Sequence, residues 1–204
     1  MEACKKLQSV NKVWNNEIMT EAYTGVKFKV LFEGVDFGYE KERREILEEL
    51  SRLGKRKLLD SNNGNVSVRV KDGIVITPSG KDMSRIRAGD LVLVTGVDED
   101  VGLVRAVGRM LPSSETMMHW LIYETFPRIG AVVHFHDVEI LSKHDQFVET
   151  GGHHPYGTLE LALSAIKALK RRRLIVLKEH GVLVIGRNLK TCHRRIEKAV
   201  ESVR

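Results

Sequence analysis

An apolar run near the middle of the chain ends in two histidines. It follows Gly130 and reads Ala-Val-Val-His-Phe-His over residues 131–136, a pattern that predicts a strand. Because side chains alternate between the two faces of a strand, His134 and His136 point to the same side. Two imidazoles on one face suit a metal ion, although a strand that merely ends in two surface histidines has the same pattern.

Length and composition indicate a globular chain. Its 204 residues can bury a sizeable core, as one domain with room for an appendage, and its 42% hydrophobic and 29% charged contents are ordinary. No apolar run approaches the roughly 18 residues of a membrane helix, so no membrane association is expected. The first residues carry charges with no apolar stretch behind them, unlike a signal peptide, which predicts a cytoplasmic protein.

Cysteine usage and charge narrow the kinds of site. Cys4 and Cys192 are the only cysteines, far apart in sequence, which argues against a disulfide framework and a thiolate metal site. A metal would therefore need histidine and carboxylate ligands. The formal net charge is +6, but basic and acidic residues are interleaved, as in residues 41–45, so we expect no nucleic-acid partner. This charge supports at most a mild preference for anionic small molecules.

Apolar residues at helical spacing predict four helices. Thr158 and Asn188 are suitable N-caps for the last two, and Gly54 is a plausible stop for the first. In the third helix, the leucines and the isoleucine mark the expected buried face: Leu159, Leu163, Ile166 and Leu169. The predicted helices span Glu40 to Leu53, the residues after Ser114 as far as Phe126, Leu159 to Lys170, and the residues after Asn188.

Alternating or apolar runs predict the strands. A weak alternation over residues 27–32 could be one more strand, and residues 137–152 read as polar and irregular. The predicted strands cover residues 66–70, 73–77, 91–95, 131–136, 174–177 and 182–185.

Three polar segments could hold an anion. The loops at residues 60–65 and 78–80 are rich in Asn, Ser and Gly, residues that are common in plain turns but can also present N–H groups and hydroxyls to a phosphate. Ser113 or Ser114 can cap the helix that follows, with Glu115 in its first turn. That arrangement describes any well-capped helix, and equally an anion site beside a carboxylate.

Five motifs in a fixed order distinguish this chain. They are Asn-Gly-Asn-Val-Ser-Val-Arg (63–69), Ile-Thr-Pro-Ser-Gly (76–80), Pro-Ser-Ser-Glu-Thr (112–116), Gly-Ala-Val-Val-His-Phe-His (130–136) and Glu-His-Gly (179–181). Taken together over residues 40–204, they resemble the class II aldolase/adducin family. The resemblance implies a three-layer α/β/α fold with a central, mostly antiparallel β-sheet. It divides the chain into an N-terminal extension of unclear role, 1–38, and an aldolase-like domain, 39–204.

The resemblance also implies roles for particular residues. The metal in such aldolases is zinc, although another divalent metal is possible, and three imidazoles with an open position suit catalytic zinc chemically. The acid/base residue of the family falls on Glu115. The metal ligands fall on His134, His136 and His180, and the phosphate pocket falls on Asn65, Ser79, Gly80, Ser113 and Ser114.

The implied reaction is the cleavage of a ketose 1-phosphate to dihydroxyacetone phosphate and an aldehyde. The bond breaks by retro-aldol chemistry through a metal-bound enediolate, because a divalent Lewis acid stabilises the electrons left beside the carbonyl. Tyr156 is a candidate to handle the far oxygen of the substrate. Such enzymes are ring tetramers, so we expect a homo-oligomer, with a tetramer favoured.

Other members of the superfamily provide alternatives. Methylthioribulose-phosphate dehydratases keep the glutamate, whereas pentulose-phosphate 4-epimerases have an aspartate where this chain has Glu115. Adducin-like domains are non-catalytic binding modules that have lost the metal ligands; the three histidines here favour an enzyme. Two departures from the aldolases leave the substrate open: Asp137 replaces a small residue, and the segment 137–156 is short.

Overall fold

The structure is a computed structural model, which describes residues 12–14, 17–19, 24–59 and 62–204. Two short strands, β1 and β2, form an antiparallel pair near the N-terminus. Cys4 lies outside the described residues. Within the described part, no helix is long and apolar enough to cross a membrane.

The described chain contains ten strands and five α-helices, with short 3-10 turns between some of them. The strands are β1 (Lys12–Trp14), β2 (Glu17–Met19), β3 (Lys29–Gly34), β4 (Asn65–Val70), β5 (Gly73–Ile76), β6 (Val92–Asp98), β7 (Leu103–Val107), β8 (Ala131–Phe135), β9 (Leu174–Leu177) and β10 (Gly181–Gly186). The helices are α1 (Glu40–Lys55), α2 (Thr116–Thr125), α3 (Val138–Ser142), α4 (Leu159–Leu169) and α5 (Leu189–Val203).

Eight of the strands form one central sheet in the order β3-β7-β6-β5-β4-β8-β10-β9. The edge pair β3–β7 is parallel, and the other neighbouring pairs are antiparallel. Strand β8 lies between β4 and β10, and all five of its residues are buried. The predicted mostly antiparallel sheet is therefore confirmed.

Two hydrophobic cores cover the two faces of this sheet, which makes three layers. Helices α1, α3 and α5 supply Ile46, Ile140 and Ile196 to one core. Helices α2 and α4 supply Ile122 and Ala165 to the other core. One helical layer on each face of the sheet is the arrangement that the predicted α/β/α fold class requires, so that prediction is confirmed.

The side chains of β8 alternate between the two cores. Val133 and Phe135 belong to the core under α1, α3 and α5, whereas Val132 belongs to the core under α2 and α4. His134 therefore faces the same side as Val132, towards α2. Near the end of β8, His134 thus occupies a position on the face that Val132 fills with an apolar side chain.

The structure corrects the expectation that residues 137–152 are irregular. Residues 138–142 form α3, and His144–Gln146 form a 3-10 turn. The carboxylate of Asp137 accepts the N–H groups of Glu139 and Ile140 at 3.0 and 2.9 Å, so it is the N-cap of α3. The unusual residue after His136 thus has a structural role.

The predicted buried face of α4 is partly wrong. Leu159 and Leu163 are exposed, with 37% and 55% of their surface accessible. The helix instead buries a face that includes Ala162 and Ala165. The small alanine side chains allow α4 to pack closely on α2. A buried face predicted from the largest apolar side chains therefore differs from the observed one by a rotation about the helix axis.

Candidate active site

His134 and His136 approach each other at the end of β8, as strand alternation predicts. His134 lies within the sheet, paired with Asn65 on one side and Leu183 on the other. The Nε2 atoms of His134 and His136 are 3.1 Å apart. Only 1% of the His134 side chain is exposed.

His180 reaches the same point from the turn between β9 and β10. Its ring centroid lies 4.9 Å from that of His134 and 5.4 Å from that of His136. One potential ligand atom from each of the three histidines lies within 4.8 Å of the other two. Among the described residues, this is the one group of three or more such side chains found close enough to hold a metal ion.

Gly181 allows this approach of the three rings. A Cβ atom at this position would lie 2.6 Å from Cε1 of His134 and 2.9 Å from Cδ2 of His136. Neither contact is compatible with normal packing. The Glu-His-Gly motif therefore ends in glycine because the rings of two other histidines pack against that backbone.

Hydrogen bonding orients one of these imidazoles, and burial favours the neutral form of another. Nδ1 of His134 lies 3.0 Å from the carbonyl oxygen of Val182 and donates to it, so Nε2 is the nitrogen that faces His136 and Glu115. Burial, with smaller effects of His134, His153 and Lys27, outweighs the opposing effect of Glu115 and lowers the pKa of His180 to about 4. His180 is therefore a neutral imidazole at neutral pH, the form that binds metals.

Glu115 is buried against two of the three histidines. Its Oε2 accepts a hydrogen bond from Nδ2 of Asn65 at 2.8 Å and lies 3.4 Å from Nε2 of His134. Its Oε1 lies 3.4 Å from Nε2 of His180. Burial opposes ionisation, but His134, His180 and the Asn65 amide outweigh it and lower the pKa of Glu115. The side chain is therefore a carboxylate at neutral pH.

These contacts fit a divalent cation. Oε1 of Glu115 is buried and has no hydrogen-bond partner among the described residues, and it lies 3.4 Å from Nε2 of His180. A cation among these atoms would satisfy all of them. Two imidazole ligands of tetrahedral zinc lie about 3.3 Å apart, close to the 3.1 Å between His134 and His136.

The two predicted phosphate loops lie side by side next to Glu115. The N–H of Ser79 donates to the carbonyl of Leu111 at 2.9 Å, and the N–H of Ser113 donates to that of Thr77 at 3.0 Å. Gly80 has a φ of +69°, which glycine tolerates best. The structure thus brings Ser79, Gly80, Ser113 and Ser114 together, and their phosphate role stays a prediction.

Two members of this predicted pocket contact the catalytic candidate directly. Asn65 donates to Glu115, and Oγ of Ser113 accepts the N–H of Glu115 at 3.3 Å. The predicted N-cap at Ser113 or Ser114 is wrong, because α2 begins at Thr116 and Glu115 is the N-cap. Thr116 donates both its N–H and its hydroxyl to the Ser113 carbonyl. Residues 113–116 therefore form a turn, and the helix begins only after it.

Tyr156 is bound by the N-terminal segment. Its hydroxyl lies 2.6 Å from the backbone nitrogen of Thr24 and 2.9 Å from the Thr24 hydroxyl. Nζ of Lys27 donates to the Tyr156 carbonyl at 2.7 Å. A contact of Tyr156 with the far oxygen of a substrate stays a prediction.

A buried polar group next to the site is absent from the sequence-based prediction. Nδ1 of His119 lies 2.7 Å from Oγ of Ser67, which is also 2.9 Å from the hydroxyl of Tyr123. Burial lowers the pKa of His119 to about 3. Helical spacing was the available signal, since His119 and Tyr123 follow Glu115 by one and two turns.

Comparisons with known proteins identify relatives of this chain. A model of the class II aldolase and adducin N-terminal domain family matches residues 44–204. An L-fuculose phosphate aldolase of Haemophilus influenzae is 34% identical over 158 residues, 69% of this chain and 69% of the relative. A 5-methylthioribulose-1-phosphate/5-deoxyribulose-1-phosphate aldolase of Rhodospirillum rubrum is 32% identical over 157 residues, 68% of this chain and 66% of the relative.

A solved structure of an L-fuculose 1-phosphate aldolase has the same fold. It superposes with a TM-score of 0.71 at 29% identity, covering 81% of this chain and 84% of the other. The chain therefore belongs to the class II aldolase and adducin N-terminal domain family and is a class II aldolase, a lyase of carbon–carbon bonds.

Proposed function

We propose that this protein is a zinc-dependent aldolase that cleaves a ketose 1-phosphate to dihydroxyacetone phosphate and an aldehyde. The observation that supports the proposal most directly is the group of three imidazoles, within 4.8 Å of one another, facing the buried carboxylate of Glu115. The relatives act on phosphorylated sugars by name, which supports a substrate of the same class.

The three histidines would hold the metal through one nitrogen each. A bound zinc ion would supply a Lewis acid that stabilises negative charge developing beside the substrate carbonyl. The hydrogen bond from Nδ1 of His134 to the Val182 carbonyl orients that ring and keeps its Nε2 available. Rigid ligands of this kind position the substrate for cleavage.

Glu115 would move the proton in this reaction. Its pKa is lowered despite burial, so the carboxylate is ready to accept a proton at neutral pH. In the cleavage direction it would take the proton of the hydroxyl that becomes the aldehyde oxygen and give it to the carbon that carries the negative charge after the bond breaks. The amide of Asn65 holds the carboxylate against the triad while this happens.

The substrate phosphate would lie against the paired loops around Ser79 and Ser113. The N–H groups of Ser79 and Ser113 are used between the loops, so the serine hydroxyls and the start of α2 would supply the donors to an anion. Binding the unreactive end in this way would hold the reacting carbons beside the three histidines and Glu115.

Assembly and location are part of the same proposal. Class II aldolases of the kind that this sequence resembles are ring tetramers, so we propose a homo-oligomer, with four subunits favoured. The mass of the purified protein in solution measures this directly. A cytoplasmic location also stays a prediction.

The experiment combines metal analysis with a retro-aldol assay. Freshly purified protein is analysed for zinc and other divalent metals. It is then offered L-fuculose 1-phosphate, 5-deoxyribulose 1-phosphate and 5-methylthioribulose 1-phosphate, and release of dihydroxyacetone phosphate is measured. We expect stoichiometric metal and release from at least one substrate. Absence of divalent metal, with no rescue by added zinc, would refute the proposed site; water loss without cleavage would indicate a dehydratase.

The variant Glu115→Gln tests the acid/base role within this function. Removal of the proton-transfer group should lower kcat by about 10²- to 10⁴-fold, because general acid–base catalysis contributes roughly that factor. The amide keeps the shape of the side chain, so we expect the metal content to stay near that of the wild type. Unchanged turnover in this variant would exclude Glu115 as the base.

A further inference from the structure

Lys27 lies beside the candidate site, although it precedes the residues matched by the family model, 44–204. Its Nζ donates to the carbonyl of Tyr156 at 2.7 Å and lies 4.1 Å from the centroid of that ring. The side chain of Lys27 therefore packs along the loop before α4, which contains Tyr156 and Gly157.

That loop packs onto the predicted phosphate pocket. A Cβ built on Gly157 would lie 2.8 Å from the carbonyl oxygen of Ser114 and 3.8 Å from Cδ of Lys27. Gly157 has a φ of +68°, so a larger residue would be strained as well as crowded. Cδ of Lys27 and the carbonyl oxygen of Ser114 thus both lie close to Gly157.

Lys27 also brings a positive charge to this part of the molecule. Its Cδ and the carbonyl oxygen of Ser114, a member of the predicted phosphate pocket, both lie within 4 Å of the position of a Cβ on Gly157. The five predicted phosphate-binding residues, by contrast, are all uncharged: Asn65, Ser79, Gly80, Ser113 and Ser114.

We propose that Lys27 is a substrate-binding residue whose ammonium pairs with the phosphate group of the sugar phosphate. This proposal rests on the proposed function, since it assigns a further contact to the same substrate. A phosphate carries up to two negative charges, and a neutral pocket compensates them only through dipoles. An ammonium has three N–H donors, so the bond to Tyr156 can persist while another donor contacts the phosphate.

A purely structural role for Lys27 is the competing explanation. The bond to the Tyr156 carbonyl could simply fasten the loop to the N-terminal segment. An exposed lysine in such a role contributes little to stability. The two explanations differ in what a substitution changes: phosphate affinity in one case, and loop position or metal binding in the other.

The test compares Lys27→Gln, Lys27→Arg and Lys29→Gln in zinc-loaded, full-length protein. Lys29 is an exposed lysine at the start of β3, so its substitution removes the same charge away from the Tyr156 loop. Three quantities are measured: the affinity for inorganic phosphate by calorimetry, and KM and kcat for the ketose 1-phosphate that the wild type cleaves.

We expect Lys27→Gln to weaken phosphate binding and raise KM by about tenfold each, the effect of losing one charge-assisted hydrogen bond, while kcat is largely kept. Lys27→Arg should recover most of both losses. Lys29→Gln should resemble the wild type. Increasing salt should weaken phosphate binding more in the wild type than in Lys27→Gln.

Three results would overturn the proposal. One is that Lys27→Gln matches Lys29→Gln in phosphate affinity and KM. Another is that Lys27→Gln lowers kcat or zinc content instead of phosphate affinity, which would indicate a structural role. The third is that the wild type binds no phosphate. Failure of the proposed function is distinct: the wild type would cleave no sugar phosphate, and calorimetry with phosphate would still decide the role of Lys27.

Discussion

His119 connects the candidate site to the core of the protein. It lies one helical turn after Glu115, is fully buried, and contacts the hydroxyl of Ser67 on β4. Its Nε2 is buried and has no hydrogen-bond partner among the described residues. An imidazole in this position is neutral, because burial disfavours its charged form.

The buried state of His119 predicts a pH dependence of stability. Its pKa is about 3 in the folded protein and about 6.5 when unfolded, so between these values only the unfolded chain binds the proton. The free energy of unfolding therefore falls as the pH decreases from about 6.5 towards 3, by up to about 1.4 kcal/mol per pH unit from this group. We expect His119→Gln to reduce that slope.

Urea unfolding of the metal-free protein between about pH 4 and 6 measures the slope directly, and chelation removes any contribution from metal release. The matched control is His144→Gln, which replaces an exposed histidine. The comparison depends on slopes, so a uniform loss of stability in either variant does not affect it. Equal slopes in the wild type and in His119→Gln would contradict the interpretation.

Single residues differ in how far sequence could place them. Alternation along one strand was enough to bring His134 and His136 together. His180 is distant in sequence, and only the resemblance placed it with them, because its position depends on β10 pairing with β8. Lys27 could not be placed at all, since its contact with Tyr156 depends on where a segment outside the recognised motifs lies.

At the scale of elements, the site depends on the fit between β8 and the turn before β10. Gly181 starts β10 and pairs with Leu177 across the hairpin, while the rings of His134 and His136 lie against its backbone. The backbone of β8 is close as well, since a Cβ at Gly181 would lie 2.9 Å from the carbonyl oxygen of Phe135. The backbone of Gly181 thus packs directly against the side chains of His134 and His136.

We predict that Gly181→Ala weakens metal binding while the fold persists. The added methyl group must displace the rings of two ligands, and disturbed ligand orientation typically costs about 10- to 100-fold in metal affinity. Competition with a chromophoric zinc chelator measures the change. Gly89→Ala is the control, because a Cβ there meets nothing within 4 Å. Equal zinc affinity in the two variants would show that the rings adjust without cost.

The elements that sequence missed are those whose stability comes from tertiary contacts. Helix α3 has only five residues, and it depends on the Asp137 cap and on Ile140, which is fully buried against the core of α5. Strand β7 was not predicted, and β3 was only a weak alternation. Their pairing supports both at the edge of the sheet. Longer elements with strong caps, such as α5 after Asn188, were predicted correctly.

For the molecule as a whole, the N-terminal segment is the part that sequence described least. The division into an extension, 1–38, and a domain, 39–204, stays a prediction. Nevertheless, β3 pairs with β7 in the central sheet, and Phe28 is buried in the core under α2 and α4. The same segment contacts Tyr156 through Thr24 and Lys27, so it joins the sheet edge to the candidate site.

These contacts predict that residues 24–38 are required for full stability. A chain beginning at residue 39 would lose β3 and the buried ring of Phe28, whose burial alone contributes about 2–3 kcal/mol, and would expose the β7 edge. A chain beginning at residue 24 keeps both and is the matched control. We expect the shorter chain to melt at a lower temperature and to aggregate more readily, as measured by calorimetry and light scattering. If both truncated chains instead melt together with the full-length protein, β3 contributes nothing to the cooperative unit, and residues 39–204 form an independent domain.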